Sequence, residues 1–226
     1  MVSYIALGVM VVILAAIFSR LRPSATQKIT EDLYAVRCLF VNFYALRTST
    51  GVVLFDTGMN SMMASRGLRK LGIEPTEVTH VFLTHTDYDH TGGLAAFPQA
   101  ARYLSKKEEP MITGETPRRG FLHNKRFTPY HTMEDGETVV VGDLSIQILV
   151  TPGHTPGSAV YRINERILAS GDLLRVSKKG AILPFLWFMD MKHSQNVQST
   201  QAIKPVCETA EYLLTGHTGM HKMPKG

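Results

Sequence analysis

Residues 84–93 read THTDYDHTGG, and the rest of the chain is best read outward from them. They place His85, Asp87, Asp89 and His90 close together, two carboxylates at alternating positions between two imidazoles. Neighbouring carboxylates repel, so the cluster costs stability unless a cation sits among them. A metal ion removes the conflict, and imidazole with carboxylate suits zinc, iron or manganese. The preceding run EVTHVFLTH, residues 77–85, is apolar and β-branched and is expected as a buried strand. The cluster therefore lies at the C-terminal end of a strand, where α/β folds place their chemistry.

On either side the chain alternates short strands with amphipathic helices. DLYAVRCLFVNFYAL (32–46) and GVVLFDTG (51–58) read as strands joined by the turn RTSTG, and Asn60 or Ser61 can cap a helix running to about Leu71. Downstream, residues 138–158 read as two strands around a Gly-Asp turn that end in a loop presenting His154. Residues 158–174 read as a hairpin ending at Asp172, and residues 210–219 as a last strand ending at His217. Each of these candidate ligands follows an apolar strand, as a metal site at one edge of a sheet requires.

Composition sets the limits. The 226 residues are 44% hydrophobic and 19% charged, enough for one globular domain with a real core. The net charge of +5 is spread without a basic run or aromatic-basic interleaving, so no nucleic-acid partner is expected. Cys38 and Cys207 stand far apart in apolar surroundings and are expected as buried free thiols. Residues 2–18 carry no charge and as a helix would span about 25 Å, near the short end of what crosses a bilayer. They are read as an N-terminal transmembrane helix, with Arg20, Arg22 and Lys28 after it favouring a single-pass membrane protein whose catalytic domain faces the cytoplasm. The expected division is residues 1–19 as anchor, 20–30 as linker and 31–226 as catalytic domain.

Taken together, THTDYDHTGG, Asp56 in LFDTG, His154 in TPGHTPGS, Asp172 in SGDLL and His217 in TGHTG resemble, in order, the motifs of the metallo-β-lactamase superfamily of metal-dependent hydrolases. The resemblance implies an α/β fold, the αββα sandwich, with a dinuclear site. One metal would be held by His85, Asp87 and His154, the other by Asp89, His90 and His217, with Asp172 bridging them. Asp89 would also be catalytic, orienting a metal-bound hydroxide for attack on a carbonyl, and Asp56 would hold a ligand imidazole from behind. Position 87 departs from the family pattern, with Asp where His is usual. Zinc is the first expectation for the two divalent ions, and Asp87 opens the choice to iron or manganese. His80, His123, His131, His193 and His221 match no motif and are read as ordinary polar residues.

Within the family, a bridging carboxylate at Asp172 argues against classical β-lactamase activity, and no RNA-gripping arm is evident. What remains resembles hydrolases of small esters, lactones or thioesters. A carboxylate at position 87 also resembles the flavodiiron branch, so a di-iron redox enzyme is the alternative, with a non-catalytic metal-binding protein as a third. The segment AILPFLWFMDM, residues 181–191, is too apolar for a solvated loop. It packs on the core or forms a wall for a hydrophobic small-molecule substrate through Leu183, Phe185, Trp187 and Phe188.

Overall fold

Strand Gly51–Phe55 shows how the layers arise. Side chains alternate across a strand, so Val52 and Leu54 enter one apolar layer while Val53 and Phe55 enter the next. The same alternation in Ile167–Gly171 sends Ile167 and Ala169 to the middle layer and Leu168 to a third. In the computed structural model, which describes residues 19–224, three apolar layers separate two sheets and the helices outside them. This is the αββα sandwich.

One sheet has seven strands in sequence order from Gln27–Lys28 to His131–Met133. The other has six, ordered from Gly219–Lys222 through Tyr212–Thr215, Ile167–Gly171, Ala159–Ile163 and Leu144–Val150 to Thr138–Val141. Helix Ser61–Arg69 covers the outer face of the first sheet through Ala64 and Leu68, and Asn60 caps it by accepting from the Met62 and Met63 amides. Helix His193–Thr209 covers the second sheet through Ile203 and Cys207. Between the sheets Phe55, Phe82 and Tyr161 pack ring against ring. Two tyrosines bridge the sheets in opposite directions. Tyr161 Oη donates to the Leu83 carbonyl at 2.9 Å, and Tyr44 Oη donates to the Thr215 carbonyl at 2.9 Å.

Some expectations need correction. The last strand stops at Thr215, and a further strand, Gly219–Lys222, pairs with it. The linker is bound to the domain: Arg22 donates its amide to the His217 carbonyl, Ser24 pairs with Asn42, and Gln27–Lys28 adds an edge strand. Helix His193–Thr209 was not expected, because its apolar face is sparse and Pro205 lies within it; the proline is exposed. Residues 181–191 form a short strand, Ile182–Pro184, and then a loop in which Phe185 and Leu186 are buried. Cys38 and Cys207 are buried free thiols. Residues 2–18, read as an anchor, lie outside the described residues; among the described residues no helix is long and apolar enough to cross a membrane.

Candidate metal centre

All seven residues singled out as ligands converge at one edge of the sandwich. His85, Asp87, Asp89 and His90 follow strand Val78–Phe82 of the first sheet, whereas His154, Asp172 and His217 follow strands Leu144–Val150, Ile167–Gly171 and Tyr212–Thr215 of the second. Potential donor atoms of Asp89, His90, Asp172 and His217 lie within 4.8 Å of one another, as do those of His85, His154 and Asp172. Asp172 is common to both groups. Its Oδ1 is 3.3 Å from His90 Nε2, and its Oδ2 is 3.1 Å from His217 Nε2 and 3.6 Å from His154 Nε2.

Each imidazole is held from behind by Nδ1. His90 Nδ1 donates to Asp56 Oδ2 at 2.8 Å, His154 Nδ1 to Asp190 Oδ1 at 3.2 Å, and His217 Nδ1 to the Phe40 carbonyl at 2.8 Å. His85 Nδ1 donates to Thr84 Oγ1 at 3.0 Å, since that hydroxyl gives its own proton to Asp56. A carbonyl or ionised carboxylate can only accept, so these partners put the proton on Nδ1 and turn the Nε2 lone pair inward. His85 Nε2, His90 Nε2 and Asp172 Oδ1 are buried without a hydrogen-bond partner. Orphaned acceptors of this kind facing one another are what a cation satisfies, so the donor set fits a divalent metal.

Electrostatics agree. Burial raises the Asp172 carboxyl, but His217 and His90 together hold it well below the usual carboxylate range. Burial also lowers the histidines, yet Asp190 and Asp87 raise His154 to about 9, and Asp172 and Asp89 raise His217 to about 10. These carboxylates hold positive charge in place, as protons when no ion is bound.

Asp56 lies behind the His90 ring. It adopts φ 62°, a left-handed backbone uncommon for aspartate, while its carboxylate accepts from Thr84 N at 2.8 Å and from His90. Gly216 allows a close approach; a Cβ there would meet Asp172 Oδ1 at 2.5 Å. His217 is stacked between Phe40 and Phe185, and Phe185 also meets the His154 ring edge-on. Of the other proposed wall residues, Trp187 is 68% exposed and packs against Phe188, while Leu183 lies in the strand paired with Arg175.

Sequence reading missed three residues. Fully buried Glu108 accepts from Thr86 N and Oγ1, Thr155 Oγ1 and Gly157 N, stapling the loop of His85 to the loop of His154. Asp190, also buried, accepts from His154, His193 and Asn196. Arg118 donates from Nε to both oxygens of Asp87, at 2.7 and 3.0 Å, and Asn124 adds a bond at 3.1 Å. A buried acid in an apolar run is a usable sequence signal for Asp190. Glu108 and Arg118 sit in charged stretches that give none.

The layers and the converging donors define an αββα protein with a His/Asp cluster at the sheet edge. The chain belongs to the metallo-beta-lactamase superfamily, whose family model matches residues 36–217. It is 27% identical over 147 residues to an N-acyl homoserine lactonase of Bacillus thuringiensis, a match covering 50% of this chain and 54% of the relative. The chain thus spans about half the length of that lactonase. It is 25% identical to the uncharacterized protein YobT of Bacillus subtilis (strain 168), covering 81% and 85% of the two chains. A hydroxyacylglutathione hydrolase of Synechococcus sp. (strain JA-3-3Ab) is 32% identical over 56% of this chain and 42% of its own. Among solved structures, a B3 metallo-beta-lactamase with an active-site glutamic acid superposes with a TM-score of 0.68 at 22% identity, covering 92% of this chain and 85% of the other. That likeness is one of fold.

Proposed function

We propose that this protein is a dinuclear metal-dependent hydrolase that opens the ester, lactone or thioester carbonyl of a small hydrophobic substrate. The observation that carries the reading is the sharing of Asp172 by two donor groups that face one another. In our assignment His85, Asp87, His154 and Asp172 hold one divalent ion and Asp89, His90, His217 and Asp172 the other, zinc first, with iron or manganese admitted by the carboxylate at Asp87. Bound there, the ions supply water activation and carbonyl polarisation.

The remaining work falls to side chains. Asp89 is partly exposed and is held ionised: burial raises its carboxyl, but His90 and His217 lower it further. It can therefore accept a hydrogen bond from the attacking water and orient it. Phe185, Trp187 and Phe188, with Leu183 behind them, are assigned to the substrate wall. A groove of about 610 Å³ runs beside Arg118, Trp187, Phe188 and Met191. Its lining is mixed, with Arg119 and Asp190 beside the rings, and the Trp187 and Phe188 rings suit an acyl or similar group. The relatives named as a lactonase and a hydroxyacylglutathione hydrolase support carbonyl hydrolysis as the reaction class.

The test is turnover of aryl ester, lactone and thioester panels by metal-loaded protein, alongside elemental analysis. Loss on chelation and recovery on adding zinc are expected; chelator-insensitive turnover would refute the assignment. Asp87 also favours a second reading, a di-iron redox enzyme, which would show iron charge-transfer absorption that responds to reductant. For residues 2–18 we retain the proposal of a single-pass anchor with a cytoplasmic domain. The full chain should then stay with membranes in alkaline carbonate, and its release would overturn that proposal.

A further inference from the structure

Asp87 stands at the N-cap position of the turn Tyr88–Thr91, but its side chain caps nothing. It turns into the site instead, with Oδ2 3.2 Å from His154 Nε2 and 3.6 Å from His85 Nε2. Arg118 meets it from the opposite side through Nε, and Arg118 Nη2 lies 3.2 Å from His154 Nε2 while donating to the Met189 carbonyl at 2.7 Å. With Nδ1 given to Asp190, Nε2 is the only atom through which His154 can hold an ion, and it offers one lone pair. The guanidinium stands beside that atom, where an ion on it would have to sit, with a permanent positive charge. Among the described residues, no arginine or lysine is hydrogen-bonded to or ion-paired with Asp89, His90 or His217; their polar side-chain partners include Asp56, Asp172, the Phe40 carbonyl and one another.

We propose that Arg118 is an internal competitor for metal, so that the chain holds one divalent ion tightly between Asp89, His90, Asp172 and His217, and a second only when Arg118 withdraws from His154. The inference rests on the metal assignment above and deepens it. Arg118 is placed to withdraw. Its Nη1 has no hydrogen-bond partner, and it belongs to residues 117–123, of which Phe121 is 87% exposed and Leu122 58%. Its other anchor is a main-chain carbonyl on a neighbouring loop, Met189. When it leaves, Asp87 exchanges one cation for another, and the pocket never holds an uncompensated carboxylate. Arg118 is thus a positioning residue that sets the order of loading.

The experiment is calorimetric titration of the metal-free full chain with Zn²⁺, repeated with Co²⁺ and read by its visible absorption. Wild type should show two binding events separated by about tenfold or more in Kd, and Arg118→Met should tighten the weaker event by about tenfold while leaving the tighter one in place. Arg119→Met removes the adjacent bond to the Phe188 carbonyl and controls for a loosened loop; it should change neither event. Two equally tight events in wild type, or an unchanged gap in Arg118→Met, would overturn the competition and leave the metal assignment standing. Absence of binding in every variant would overturn both.

Discussion

The two halves of the site use the same donors and differ in what stands behind them. Asp89, His90 and His217 are backed by Asp56 at the end of a central strand and by the main chain at Phe40, and among the described residues no arginine or lysine is paired with them. His85, Asp87 and His154 are backed by residues from loops: Thr84, Asn124, Arg118 and Asp190. One half is therefore fixed by the sheets, the other by segments that can shift. Identical ligand chemistry need not give identical affinity, because the surroundings decide how freely each lone pair is offered.

Removing what the halves share should have the largest effect. Asp172→Ala is expected to lose both ions and to lower hydrolysis on the order of 10²–10³-fold or more, checked by elemental analysis and turnover. Near-normal activity would place the chemistry elsewhere. A smaller effect should separate the halves: Asp190→Asn should weaken only the weaker ion, by about 10–100-fold, whereas Asp56→Asn, at the residue that holds His90 directly and His85 through Thr84, should weaken the tighter ion by a similar factor and the weaker one less. If Asp190→Asn weakens the tighter ion as well, the two halves are not independent.

Protons offer a third comparison, between metal-free and loaded protein. His154 and His217 titrate at about 9 and about 10 in the fold, above the ordinary 6.5. Their contribution to stability is therefore complete below about pH 6.5 and is lost as pH rises through 9 and 10. The thermal midpoint of the metal-free protein should fall over that range, while the loaded protein, with ions in place of those protons, should hold steady. Parallel curves would contradict this. The smallest expected effect is that of Tyr44→Phe or Tyr161→Phe, each costing about 0.5–1.5 kcal/mol in denaturant melts. A cost near zero would show that neither cross-sheet hydrogen bond adds to stability.

The parts legible in the sequence were those with local signatures. The crowding at residues 84–93 pointed to a candidate cation site, and an apolar strand before each remaining candidate donor pointed to where it would emerge. Asp56 was legible through its place after a strand, and the Asn60 cap through its position before helical periodicity. Glu108 and Arg118 were not, because their roles depend on which loops meet once two sheets have stacked, and Asp190 showed only as an acid in an apolar run. Helix His193–Thr209 was hidden by polar residues and an internal proline that solvent tolerates. Asp87 could be read as a helix cap or as a ligand, and the choice turns on a side-chain rotation that sequence does not encode.

The crossed tyrosines have a consequence beyond their own hydrogen bonds. Tyr161 reaches the carbonyl just before Thr84, and Tyr44 reaches the carbonyl two residues before His217, so each sheet grips the other beside its own ligand loop. The donor groups lie where the sheets meet, so the dissociation constants of the proposed ions should act as a gauge of sheet alignment. A cavity cut in the middle layer, at Ile146 in the second sheet, should register first as metal leakage. Gentle heating should likewise empty the site, and silence the enzyme, some degrees before the sandwich comes apart.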